Sequence, residues 1–376
     1  MTTIRHLYFH IPFCPKLCPY CSFFVEVGAK NKTRSFLDAL LREVEVAGEK
    51  YALRPETIYF GGGTPTSLLS GQIEYLLGGL RSRLDLAGLR EWTVEANPAT
   101  VRSEKAVLLR DLGVTRVSLG VQSWDDGLLK TLGRVHTAAQ AERTYGILRE
   151  SGIPAVNLDL MFSVPGQRPS QWRATLKKTL ALRPDHISSY CLTYEEDTEY
   201  LRKLAGGDFR QDDERDAQLF EETMDTLTAA GFAQYEISNY ARSGGDSVTG
   251  CESQHNRAYW LGADYLGFGP GAFSTVGLSR WENIRDTAGY TQRTLAGEDA
   301  GGFREALSLE MRAGEIAAFR IRMADGMSRQ ELSKWAVAVA EFEKIGLLEE
   351  HAGRVRLTRR GKLLADSIAE AFVSVP

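Results

Sequence analysis

Tyr8-Phe9-His10-Ile11-Pro12-Phe13-Cys14-Pro15-Lys16-Leu17-Cys18-Pro19-Tyr20-Cys21 is the stretch that decides the fold of this chain. A short aromatic and β-branched run ends near His10, and a C-x3-C-x2-C loop follows at once. Three thiolates at that spacing can converge on one face of an iron–sulfur cube and leave its fourth iron without a protein ligand. The competing reading is zinc with His10 as fourth ligand. Zinc sites usually draw their ligands from two separated pairs, and no second pair is present. Cys191 and Cys251 stand alone, so five cysteines with one tight cluster speak for metal binding and against a disulfide framework.

The pattern of a strand followed by a chemically loaded loop recurs downstream. Strand-like runs fall at residues 6–10, 57–60, 92–95, 116–119, 155–161 and 186–192. Between them lie stretches with helical spacing at 33–50, 67–83, 103–112, 137–150 and 170–182. Six such β-α units imply an α/β fold with a parallel sheet, either curved toward a barrel or doubly wound. Chemistry then belongs at the carboxyl ends of the strands. The sequence agrees. Gly61-Gly62-Gly63-Thr64-Pro65 follows the second strand, Glu95-Ala96-Asn97-Pro98 the third and Gly120-Val121-Gln122 the fourth, while Asp159 lies near the end of the fifth. Tyr8 and His10 alternate on the first strand and so share a face, turned toward the cysteines. For His10 the competing role is that of a satisfied core histidine.

Composition narrows the classes. Hydrophobic residues make up 43% and charged residues 25% of 376, the balance of a globular chain with a sizeable core. A net charge of −4 argues against a generally nucleic-acid-binding surface. No apolar run approaches the roughly 18 residues that span a bilayer, and the opening residues lack the apolar stretch of a signal peptide. The expected location is cytoplasmic.

After residues 210–230, read as an acidic-faced helix, the alternation weakens. Residues 234–240 read as one more strand, 243–247 as a loop and 267–271 as a second, glycine-rich loop. From about residue 304 the pattern becomes helices, a hairpin at 348–357 and a last helix at 358–372 capped by Thr358, a small winged-helix-like α+β module. Its Arg354, Arg356, Arg359, Arg360 and Lys362 are read as a solvated basic face, with no nucleic acid expected. The expected division is 1–240, 241–303 and 304–376.

The quoted stretch, together with residues 61–65, Glu95-Ala96-Asn97-Pro98, Gly120-Val121-Gln122, Asp159 and Arg356-Leu357-Thr358-Arg359-Arg360-Gly361, resembles the radical S-adenosylmethionine (SAM) superfamily. More narrowly it is similar to the branch of oxygen-independent coproporphyrinogen III oxidases and HemW haem chaperones, over nearly the whole chain. The resemblance implies a partial (β/α)6 barrel with the small C-terminal domain. It implies a [4Fe–4S] cluster on Cys14, Cys18 and Cys21, with SAM chelating the open iron and cleaved by one electron to methionine and a 5′-deoxyadenosyl radical. SAM contacts carried over by resemblance fall on Tyr8, Tyr20, Gly62, Gly63, Thr64, Glu95, Gln122, Arg134 and Asp159. Tyr20 would sit beside the adenine and the glycine edge beside the methionyl part. Glu95 and Asp159 can accept from hydroxyls or an amine, and Arg134 can pair with a carboxylate, unless these groups form a structural ion pair in the mouth.

Two features favour the HemW-like group. Thirteen residues precede Cys14 where the oxidases carry a long extension, and Phe23 stands where they have a further cysteine. In addition, His255-Asn256-Arg257-Ala258-Tyr259-Trp260 resembles the H-N-x-x-Y-W motif of that group. An imidazole ligates haem iron and aromatic rings cover a porphyrin, which makes His255, Tyr259 and Trp260 haem candidates; the alternative is that they are core aromatics and a loop-bonding histidine. Phe273 departs from the group, many of whose members carry histidine there. The implied function is a haem chaperone that hands haem to acceptor haemoproteins, with an electron donor for the cluster and a homodimer left open. The rival is a coproporphyrinogen III dehydrogenase acting on a porphyrinogen. Whether the chain turns over SAM on a substrate is open at this stage.

Overall fold

The structure, a computed structural model, describes residues 1–27, 33–243 and 251–373; most of the loop expected at 243–247 lies outside them. Nine strands form the main sheet: β1 (Thr3–Ile11), β2 (Ala52–Gly62), β3 (Glu91–Ala96), β4 (Arg116–Gln122), β5 (Ala155–Phe162), β6 (His186–Cys191), β7 (Phe232–Gln234), β8 (Asn239–Arg242) and β9 (Leu266–Phe268). Their order is β9-β1-β2-β3-β4-β5-β6-β8-β7. β9 and β1 through β6 are parallel, and β8 and β7 close the far side antiparallel. The sheet is an open, partial barrel whose two edges remain unpaired with one another.

Strand alternation sorts two chemistries onto two faces. Leu7, Phe9 and Ile11, Ile58 and Phe60, Trp92 and Val94, Val117 and Leu119, and Val156, Leu158 and Leu160 are all buried in one core with the surrounding helices. Helix Thr33–Lys50 contributes Phe36, Leu37, Leu40, Leu41 and Val44 to it, the i, i+3, i+4 stripe read from the sequence. Burying each such side chain stabilises the fold by about 1.5–3 kcal/mol. The other face carries His6, Tyr8 and His10, Thr57 and Tyr59, Glu91 and Glu95, Arg116 and Ser118, Asn157 and Asp159, and His186 and Ser188. It is polar from end to end.

Three expectations need correction. Residues 358–372 form two helices, Arg359–Leu363 and Ala365–Val373, and not one. Residues 267–271 are not wholly a loop, because Leu266–Phe268 is a strand paired in parallel with Leu7–Phe9. Gly267 serves close approach there, since a Cβ would meet the Phe273 carbonyl oxygen at 2.1 Å. Residues 234–240 are not one strand either. Phe232–Gln234 and Asn239–Arg242 pair with each other around a turn in which Glu236 accepts from the Ser238 N–H at 3.0 Å.

Phe273–Val276, Ser279–Asn283 and Gly301–Ala306 form a separate antiparallel sheet. The C-terminal module has a second apolar core, including Ile321, Val355, Leu357, Ile368 and Phe372, around a small three-stranded sheet. Thr358 accepts from the Gly361 N–H at its helix start. Its basic residues have partners on the protein: Arg354 donates to Asp325 and Gly326, Arg356 pairs with Glu349, Arg359 with Asp225, Arg360 donates to Ile345 and Lys362 to Gln234. Among the described residues no helix is long and apolar enough to cross a membrane.

Candidate functional site

The cysteine loop leaves the carboxyl end of β1 and is pinned from three sides. Gly63 and Thr64 donate backbone N–H groups to Ile11 and Phe13, at 2.8 Å each. The Tyr200 N–H reaches the Pro19 carbonyl at 3.2 Å, and Gly133, with φ of 67°, leaves room for the Pro19 ring that a Cβ would meet at 2.6 Å. The Cys14 thiol lies 3.5 Å from the Thr64 hydroxyl, and Arg134 Nη1 lies 3.9 Å from the Cys18 sulfur. Burial raises the Cys14 thiol and pushes that of Cys21 up to about 11, so the thiolates need a cationic partner to form.

His10 braces this loop. Its Nε2 donates to the Phe24 carbonyl at 2.8 Å, which leaves Nδ1 to accept from the Tyr8 hydroxyl at 3.2 Å. Burial lowers its pKa to about 4, so the ring is neutral. With both nitrogens engaged it is the satisfied histidine, not the free fourth ligand that the zinc reading requires. The glycines of 61–63 also answer to the protein itself. A Cβ on Gly62 would strike the His10 ring at 2.5 Å, and one on Gly63 the Pro12 and Phe13 backbone at 2.8 Å.

Around the mouth the remaining SAM candidates come together. Tyr59 donates to Glu95 at 2.8 Å, and the Gly62 N–H supports the same carboxyl. Desolvation, with Asp159 nearby, pushes Glu95 up to about 8. Asp159, raised by desolvation, accepts from Ser118 at 3.0 Å and from Asn157 at 2.6 Å. Arg134 donates to the Gly120 carbonyl at 2.8 Å and lies beside Tyr20. Its charge also acts on Asp159, lowering that carboxyl against the rise from desolvation. Gln122 ends β4 with φ of 66°, left-handed backbone that a non-glycine residue rarely adopts, just past a register break at Gly120. Its Oε1 and the Nε of Arg134 are buried without partners. Such an atom costs about 1–3 kcal/mol unless something bonds it. An acceptor and a donor left open beside the cysteine loop fit a ligand that, like SAM, carries ammonium, carboxylate and hydroxyl groups.

The opposite end of the barrel is built differently. Cys251–His255 lies across the amino ends of the strands and leads into helix Gln254–Trp260. Glu91 accepts from Gln254 N–H and His255 N–H at 3.0 Å each, from the Ser253 hydroxyl at 3.3 Å and from Arg116 Nε at 2.9 Å. Arg116 also donates to the Cys251 and Glu252 carbonyls at 2.7 and 2.9 Å. A buried relay runs from this floor back toward the mouth. Tyr235 and His186 are joined at 2.9 Å, His186 and Asn157 at 2.7 Å, and Asn157 bonds Asp159.

Comparison with known proteins fits this architecture. A model of the radical SAM superfamily matches residues 8–179. The haem chaperone HemW of Bacillus subtilis is 31% identical over 98% of this chain and 99% of its own length. HemW of Mycobacterium tuberculosis H37Rv is 35% identical over 98% and 94%, and that of Escherichia coli K12 33% identical over 98% of both. The chain belongs to the HemW family of the radical SAM superfamily. Membership implies a [4Fe–4S] cluster and SAM. The solved structure of the E. coli coproporphyrinogen III oxidase HemN, a radical SAM enzyme, superposes with a TM-score of 0.85 over 99% of this chain and 91% of its own; at 24% identity it shows the fold.

The three haem candidates of the HemW-type motif do not share one face. The His255 Nδ1 lies 2.8 Å from the Thr57 hydroxyl, itself 3.0 Å from His6, and its ring lies 5.1 Å from Tyr59, inside the barrel. Burial lowers its pKa to about 4. Tyr259 instead packs on Tyr265 and Phe319, with centroids at 5.7 and 5.3 Å, and Trp260 lies under Arg322 at 5.2 Å. Sequence reading missed Tyr59, Asn157, His186, Glu91 and Arg116. The available signal was period-two polarity within strands that a parallel sheet normally keeps apolar on both faces.

Proposed function

We propose that this chain binds haem and transfers it to acceptor haemoproteins, with a [4Fe–4S] cluster on Cys14, Cys18 and Cys21 and SAM at the barrel mouth. The observation that carries this reading is identity of 31–35% to HemW haem chaperones along 98% of the chain, so the mouth, the motif helix and the C-terminal module are all matched. When bound, the cluster and SAM supply one-electron chemistry. The chain's own groups prepare the place for them. The three cysteines would hold the cluster, and the Arg134 guanidinium offsets negative charge beside Cys18. Gln122 would accept from, and Arg134 donate to, the polar groups of SAM. Tyr59 orients Glu95, which carries its proton at neutral pH and can donate as well as accept. Asn157 and Ser118 fix Asp159. In this reading residues 1–240 carry the cofactors, 241–303 the haem-facing segment and 304–376 an appended module.

The test is a haem titration of anaerobic, cluster-reconstituted protein followed by mixing with an apo-haemoprotein. Stoichiometric binding and appearance of the acceptor's holo spectrum are expected. Conversion of coproporphyrinogen III to protoporphyrinogen by the same preparation would overturn the chaperone reading.

A further inference from the structure

A cleft of about 280 Å³ opens at the β9 edge of the barrel. It is bounded by the rings of Tyr259, Tyr265, Phe273 and Phe319 and by the guanidiniums of Arg280 and Arg312. Resting on the haem-chaperone reading, we propose that this cleft receives one edge of the porphyrin, with its rings against the macrocycle and its arginines toward the propionates.

Three observations converge. First, two of the lining rings are available: Tyr259 and Phe273 are 41% and 36% exposed. Second, the charge is complementary. Arg280 forks onto Glu315 at 2.7 and 2.6 Å, and Arg312 lies 3.7 Å from the same carboxylate. Glu305, 3.7 Å from Arg280, is outside the lining. Two guanidiniums therefore line the cleft with one lining carboxylate between them; Arg280 Nε also lies 3.4 Å from the Thr275 hydroxyl and Arg312 donates to the Gly262 carbonyl, so a propionate would meet their remaining N–H groups. Third, the walls are fixed. The turn at Gly262, with φ of 74°, presses so close to helix Leu309–Arg320 that a Cβ would meet Ile316 at 2.6 Å, and Gly267 lets the Phe273 backbone cross β9.

The volume is less than a whole porphyrin requires, so one edge is held and the rest stays in water, as suits cargo that must leave again. Phe273 supplies no iron ligand, and His255 is turned inward onto Thr57. Recognition thus rests on stacking and propionate pairing rather than on an imidazole. The phenol oxygens of Tyr259 and Tyr265 are the ligand type that the lining offers to iron.

The experiment titrates the reconstituted full-length protein with haemin, metal-free protoporphyrin IX and haemin dimethyl ester. It uses wild type, Phe273→Ala, Arg280→Gln and His255→Ala, each checked for cluster absorbance and melting temperature. We expect Phe273→Ala and Arg280→Gln to weaken haemin and protoporphyrin binding about tenfold, as loss of one stacking or charge-assisted contact implies. The dimethyl ester should bind wild type weakly, and His255→Ala should leave affinity within about threefold. Folded cleft variants with unchanged affinity, or loss of haemin binding in His255→Ala alone, would overturn the cleft while leaving the chaperone reading intact. Failure of wild type to bind any of the three would overturn both.

Discussion

The two ends of the barrel use the same kinds of residue to opposite purpose. At the floor, Glu91 collects four donors, Arg116 gives its Nη2 to two carbonyls of the segment that covers it and its Nε to Glu91, and only its Nη1 is left without a partner. At the mouth, Gln122 stands in strained backbone with its side-chain carbonyl oxygen unbonded, Arg134 keeps a free Nε, and Asp159 sits close enough to raise Glu95. The floor is closed by the chain's own atoms; the mouth is left incomplete. The difference teaches that a polar barrel interior is not by itself a binding site. What marks the mouth is that its unpartnered acceptor and donor, Gln122 Oε1 and Arg134 Nε, lie beside the cysteine loop.

The largest effect that would break this comparison is at the cysteine loop. Cys18→Ala should abolish the reconstituted cluster, read as loss of iron, sulfide and brown absorbance, with the fold retained because Cys18 packs in no apolar core. Next, Glu91→Ala should leave the buried Arg116 charge without its carboxylate and lower unfolding free energy by about 3–5 kcal/mol in urea titration. An unchanged midpoint would mean the floor is not held by this pair.

The ends should also differ in pH response. Glu95 has a folded pKa of about 8 against an ordinary 4.5, so the folded state holds its proton more tightly. Its contribution is full below 4.5 and is lost as pH rises through about 8. His186, lowered by burial, is favoured neutral, so its contribution is full above 6.5 and lost as pH falls below it. Glu95→Gln should flatten the alkaline side of a stability-against-pH profile and leave the acid side unchanged. The smallest effect is at Gln122. Relief of left-handed strain offsets the chain entropy of glycine, so Gln122→Gly should unfold within about 1 kcal/mol of wild type.

Much of the fold was legible because strands and helices here obey their periods. The helix stripe Phe36, Leu37, Leu40, Leu41 and Val44 and the loops after Gly61, Glu95 and Gly120 fell where β-α order requires. What sequence could not reveal depended on contacts distant along the chain. Leu266–Phe268 looks like a glycine-rich loop until Leu7–Phe9 is beside it. Gly62 and Gly63 are read as ligand glycines, and the His10 ring and the Pro12 and Phe13 backbone demand them as well. His255 and Tyr259, one helical turn apart, read as one aromatic motif, yet Thr57, some two hundred residues earlier, draws the histidine into the barrel while Phe319 holds the tyrosine outside.

SAM binding to anaerobic, reconstituted wild type, Gln122→Gly and Glu91→Gln, measured by calorimetry beside the melting temperature of each, tests the contrast most directly. The account predicts that Gln122→Gly loses about tenfold in SAM affinity while melting near wild type, and that Glu91→Gln melts lower but keeps its SAM affinity. A Gln122→Gly protein that binds SAM as wild type does, or a Glu91→Gln protein that melts as wild type does, would contradict it.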